Sequence, residues 1–164
     1  MKFVKLLLVA GAATGLSTTA YAKTSKAKGA ERCVAVTQAQ VEGQFDRFNR
    51  AWATKNPQTV TRLFAKDAVL LATVSNTPRL NHAQIEDYFV TFLKNSPVGE
   101  INTSTVSLGC NMATRLGTWT VNLTDAATGK VTPVKARYSF IYKYENGDWK
   151  IYHLHSSMVP ERQG

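Results

Sequence analysis

Between residues 37 and 55 the apolar positions Val41, Phe45, Phe48 and Trp52 recur at spacings of four, three and four, one stripe of an amphipathic helix. Asn56-Pro57 resets the chain. Asn is suited to cap a helix and Pro to occupy its first position, so a short second helix carrying Val60, Leu63 and Phe64 is expected. Residues 68–72, AVLLA, predict a short strand. Asn81 opens a third helix, with Gln84 three residues on and Ile85, Tyr88, Phe89, Phe92 and Leu93 on its buried side; Pro97 and Gly99 end it. After Glu100 the pattern alternates. Residues 101–108, 112–123 and 131–144 are strand candidates, separated by turn signals at 109–111 and 125–130, and the last strand pair joins at Glu145-Asn146-Gly147-Asp148. Helices followed by antiparallel strands predict an α+β domain, a curved sheet with helices packed on one face.

A chain of 164 residues, 44% hydrophobic and 19% charged, suits one globular domain with a sizeable core. The first 22 residues read differently: basic MKFVK, apolar LLLVAGAATGL, then the small-residue ending Ala20-Tyr21-Ala22. That layout predicts a signal peptide over 1–22, cleaved before Lys23, and an exported protein of the periplasm or extracellular space; the alternative is an uncleaved anchor. A basic flexible leader over 23–36 and a folded domain over 37–161 complete the expected layout.

The signal reading changes the charge argument. Of the formal +9, Lys2 and Lys5 lie in the first 22 residues, and KTSKAKGAER adds four bases and one acid, leaving about +4 for the rest. Its Lys and Arg form no run, so no nucleic-acid partner is expected. The leader reads as a solvated spacer, with weak attraction to an anionic envelope as the alternative. Cys33 and Cys110 read first as a disulfide in an oxidising compartment, with two buried free thiols as the other reading. No CxxC or Cys/His cluster is present, so no metal site is expected.

Candidate chemistry concentrates in WKIYHLHSSMVPE, where His153 and His155, two residues apart on a strand, share a face. GxGxxG, P-loop and GxSxG motifs are missing, and no cofactor is expected. Ser156 and Ser157 face opposite sides and lack an orienting acid, which argues against a nucleophile. Among the acids, Asp67 reads as a turn residue and Asp46 lies off its helix's apolar stripe, so neither is a persuasive base.

The ending RYSFIYKYENGDWKIYHLHSS, preceded by FNRAWATKNPQTVTRLFAKDAVLL and TVSNTPRLNHAQIEDYFVTFL, resembles the nuclear transport factor 2-like superfamily. Within it the chain is similar to exported bacterial relatives of the calcium/calmodulin-dependent protein kinase II association domain, and to the SgcJ/EcaC and SnoaL-like group beside the polyketide cyclases and ketosteroid isomerases. The resemblance covers residues 37–161. It implies a cone: a strongly bent antiparallel sheet wrapped around three helices, open at one end into a pocket, with an outer face free to form a homodimer or larger ring. Kinase motifs are absent, and neither kinase activity nor calmodulin binding is expected.

On this resemblance the turn near Asn146 is expected to close as a three-residue bulged loop. Trp149, Ile151, His153 and His155 then share the concave side with Arg137, Ser139 and Ile141; a two-residue turn would place them beside Tyr138, Phe140 and Tyr142 instead. The expected ligand-binding constellation is Arg79, Tyr88, Trp119, Arg137, His153 and His155, taking a small anionic or peptide-like ligand. Other readings stand beside it: Arg137 paired with Glu86 or Asp87, Arg79 as an exposed loop residue, Trp52 and Trp119 as core. The alternative function is a cofactor-free isomerase, lyase or cyclase with His153 or His155 as catalytic base. Self-association is expected through an outer face carrying Tyr138, Phe140, Tyr142, Tyr152 and Leu154.

Overall fold

The computed structural model describes residues 33–160; the expected signal peptide and the leader up to residue 32 lie outside them. The elements run α1 (Gln38–Ala53), α2 (Pro57–Thr61), β1 (Phe64–Leu71), α3 (His82–Phe92) with a 3-10 turn at Leu93–Asn95, then β2 (Val98–Leu108), β3 (Met112–Thr124), β4 (Val131–Glu145) and β5 (Asp148–Met158). Each helix starts where its capping chemistry says it should. Thr37 and Gln40 form a reciprocal capping box on α1, Asn56 accepts from the Thr59 N–H ahead of Pro57, and Asn81 accepts from Gln84 N–H at 3.0 Å. The stripe Val41, Phe45, Phe48 and Trp52 is buried, as the periodicity predicts.

α2 is shorter than expected, and β1 begins at Phe64 rather than at residue 68. The Ile151 N–H donates to Leu63 O at 2.8 Å, which draws the chain into the sheet just after the helix. Five strands lie in the order β1-β5-β4-β3-β2, antiparallel except that β1 runs parallel to β5. The sheet is curved and not closed. Register shifts in β1, β2 and β5 help to bend it, because an extra residue on one strand of a pair raises local twist.

One sheet face packs on the helices. Ala113, Trp119, Val121, Ala136, Tyr138, Phe140, Tyr142, Ile151 and Leu154 are buried against α1 and α3. Phe48 sits among Trp52, Phe64, Phe89 and Phe140 at ring distances of 4.6–6.3 Å, mostly edge to face. A disulfide joins Cys33 to Cys110 with Cα atoms 5.1 Å apart, tying the segment before α1 to the β2–β3 turn. The Val34 N–H donates to Asn111 Oδ1 at 2.8 Å beside it.

The β4–β5 junction departs from expectation. Glu145 pairs with Asp148, and Asn146 and Gly147 carry φ of 53° and 85°, so the turn has two residues in left-handed conformation. Trp149 and Ile151 therefore pair with Tyr144 and Tyr142. The bulge lies further on, at Tyr152: Ile141 pairs with His153, Ser139 with His155, and Arg137 with Ser157. The histidines do share a face with Arg137, but Trp149 and Ile151 do not, and the shared face is the outer one.

Candidate functional site

The helix-facing side of β3, β4 and β5 alternates with a polar side, and partition follows the apolar one. Tyr138, Phe140, Tyr142 and Leu154 point inward and are buried, so they are not the outer-face residues expected for self-association. Arg137 and His155 are exposed and His153 is half-buried, all on the opposite side. These three do not line the cone. Among the described residues Arg137 makes no ion pair with Glu86 or Asp87; its cross-strand neighbours are Thr118 and Ser157. Burial, with His155 beside it, holds the His153 pKa below the ordinary value, partly offset by a hydrogen bond to the Val69 backbone. His82 is structural, its Nε2 lying 3.0 Å from the carbonyl oxygens of Phe64 and Ala65.

Tyr88 and Trp119 do line the cone, with Phe48, Trp52, Phe89, Phe92 and Leu154. Trp119 serves as both core and lining. It is 2% exposed, packs on Phe45, Phe140 and Trp52, and donates from Nε1 to Ser156 Oγ at 2.9 Å. Thr73 shares a second hydrogen bond with Ser156, so two hydroxyls form a small polar floor in an apolar chamber. Among the described residues the buried Trp52 Nε1 donor finds no hydrogen-bond partner. The chamber encloses only about 20 Å³, room for a water molecule or so.

A larger space lies at its mouth. Val74, Tyr88 and Phe92 border both the chamber and a vestibule of about 370 Å³ that is also lined by Ser75, Arg79, Asp87, Thr91 and Asn95. Arg79 is positioned by its backbone, which exchanges two hydrogen bonds of 2.9 Å with Leu70, and its guanidinium lies 5.7 Å from the Tyr88 ring centroid. Tyr88 stacks on Phe92 at 5.2 Å. Burial pushes its phenol far up in pKa, against the pull of Arg79, so the hydroxyl stays protonated.

The calcium/calmodulin dependent protein kinase II association domain matches residues 37–160. The chain belongs to this family. A structure from Xanthomonas campestris named for the same association domain is 44% identical, covers 80% of this chain and 95% of its own, and superposes with a TM-score of 0.73. Two further neighbours share the fold at low identity. A nuclear transport factor 2-like superfamily protein from Salmonella enterica is 16% identical over 77% of this chain and 92% of its own, with a TM-score of 0.65. A ketosteroid isomerase-like protein from Erwinia carotovora atroseptica is 16% identical over 75% of this chain and 96% of its own, with a TM-score of 0.61. Among curated proteins none matches the chain.

Within this association-domain fold three inward side chains take places that sequence reasoning did not assign them. Arg115 is 7% exposed; its Nε donates to Ser104 Oγ at 2.9 Å, its Nη1 to Glu42 O at 3.1 Å, and the guanidinium stacks on Phe45. Ser156 and Thr73 form the chamber floor. A signal existed for Arg115 and Ser156: Ala113, Arg115, Trp119 and Val121 hold one strand parity, and Ser156 keeps step with Leu154.

Proposed function

We propose that the domain is a homo-oligomeric module that binds a small anionic or peptide-like ligand in the vestibule at the mouth of its cone. The observation that carries this reading is the pairing, in one space of about 370 Å³, of Arg79 and Asp87 with the apolar walls of Val74, Tyr88 and Phe92. A guanidinium matches a carboxylate, Asp87 matches an ammonium, and the aromatic wall takes an apolar side chain, the three features of an amino-acid or short-peptide ligand. Reaching the inner chamber requires Tyr88 and Phe92 to move, since that chamber holds only water-sized contents at rest. The acid/base alternative rested on His153 and His155, which stand on the outer face; the titratable side chain lining the chamber is Tyr88, whose buried phenol stays protonated and is therefore poorly placed to take up a proton.

Calorimetry with dipeptides and with simple monocarboxylates tests this reading. Arg79→Ala is expected to weaken both about tenfold or more, and Asp87→Asn to weaken the dipeptide alone. Equal binding by wild type and both variants would refute the vestibule.

Self-association is proposed through the outer sheet face, where Leu116 on β3 is 43% exposed and Val69, Leu71 and Ile141 on other strands of the same face are half-buried. Leu116→Glu should shift sedimentation toward monomer, whereas a monomeric wild type at tens of micromolar, roughly where weak interfaces dissociate, would overturn the proposal. Export is proposed as well; the Cys33–Cys110 disulfide is compatible with an oxidising compartment.

A further inference from the structure

Basic residues scattered along the sequence converge at the back of the helical layer. Arg47 and Arg50 come from α1, Arg62 from the residue capping α2, and Lys150 from β5; with Thr54 and Thr59 they border one groove of about 460 Å³. Among the described residues the acid ion-paired to these cations is Asp148, which holds Arg47 through both oxygens at 2.8 Å and Lys150 at 3.0 Å. That pairing fixes the floor of the groove: Arg47 strongly lowers the Asp148 pKa, and Asp148 raises that of Arg47. Lys150 also donates to Arg62 O at 3.0 Å, joining β5 to the end of α2.

Arg50 and Arg62 make no ion pair among the described residues, and both are exposed. Arg62 is aimed by its own hydrogen bond, from Nη2 to Thr59 Oγ1 at 3.0 Å. Four cations and one carboxylate leave the groove with a net surplus of three positive charges on three different elements. A carboxylate satisfies one guanidinium fork. A phosphate offers oxygens in several directions, so forks arriving from separate elements can engage it together.

We propose that this groove binds phosphate groups, as a small polyphosphate or as the headgroup of an anionic lipid. The volume exceeds that of one phosphate and accommodates a diphosphate. Because the guanidinium groups are exposed, binding weakens as salt rises.

The test titrates inorganic pyrophosphate into the wild-type chain, into Arg50→Ala/Arg62→Ala, and into the charge-matched control Lys94→Ala/Lys130→Ala, with succinate as the carboxylate comparison. A parallel arm sediments each protein with phosphatidylcholine vesicles with and without phosphatidylglycerol. Pyrophosphate binding that falls about tenfold or more in the arginine variant alone supports a soluble phosphate ligand. Vesicle binding that requires phosphatidylglycerol and is lost in the same variant supports a lipid headgroup. Binding in neither arm, equal loss in the lysine control, or succinate binding as tightly as pyrophosphate would each overturn the proposal. Every residue removed is exposed, so folding of the variants is expected to be retained and is checked by circular dichroism.

Discussion

The two faces of β5 carry residues from one short stretch and place them in opposite environments. Leu154 and Ser156 face the helices, where Ser156 is 5% exposed and receives the Trp119 indole hydrogen bond. His153 and His155 alternate with them on the side facing away. The choice between the faces is made by one extra residue, Tyr152, and not by the chemistry of the histidines. A pair of histidines beside an arginine looks like a site in one dimension, but the strand's apolar parity decides which side is dry. The inner face carries the packing and the small polar floor; the outer face carries polar groups that water or another chain can satisfy.

Inserting one alanine after His153 attacks this distinction directly. With the turn and the bulge at Tyr152 retained, the insertion would drive His155 inward and Leu154 and Ser156 outward, burying an imidazole in an apolar core. The expected result is the largest of all: no cooperative unfolding transition in urea. An insertion variant that unfolds cooperatively with wild-type stability would show that strand register does not set the faces.

Point substitutions sharpen the contrast. Trp119→Ala on the inner face is expected to cost about 3–5 kcal/mol, since it opens a cavity and strips Ser156 of its donor. Arg137→Ala on the outer face should change stability by no more than about 0.5 kcal/mol. Urea denaturation of both reads the difference, and similar losses would contradict the assignment of faces. Ser156→Ala leaves the Trp119 N–H and the Thr73 hydroxyl without their shared partner, at an expected cost of about 1–3 kcal/mol by the same measurement.

The smallest effect concerns pH. Burial lowers the His153 pKa below its ordinary 6.5, so in the folded state it holds fewer protons than in the unfolded state as pH falls through that value. Its contribution therefore makes the domain less stable on acidification and is silent well above 6.5. His155 on the same face adds to the cost of charging His153. His153→Asn should flatten part of the decline in urea midpoint between about pH 8 and pH 5; an unchanged slope would assign the decline to other groups.

Much of the fold was legible because local rules agreed. The α1 stripe, the Asn caps of α2 and α3 and the alternating strands each rest on patterns within a few residues, and each is found where the pattern puts it. The site was less legible. Tyr88 and Trp119 stand on the chamber wall and Arg79 lies in the vestibule at its mouth; apolar periodicity locates such aromatic walls. Arg137, His153 and His155 stand on the opposite face from the one the resemblance implies, because the alternation of Tyr138, Phe140 and Tyr142 marks the dry side. The bulge at Tyr152 has no glycine or proline to announce it. The cationic groove could not be read at all, since Arg50, Arg62 and Lys150 meet only once three elements have packed.

The parallel pairing of β1 with β5 has a consequence in time. Phe64 lies beside Ile151, 87 positions later in the chain, and Leu71 lies beside His155. A ribosome therefore releases β1 long before it makes the strand that hydrogen-bonds to it, and contacts so distant in sequence form slowly. Through most of synthesis β1 carries unpaired backbone and the apolar side chains Phe64, Ala68 and Leu70 without their sheet neighbour. The last of the five strands to emerge is the one that closes this edge, so the sheet is completed only once β5 has been made.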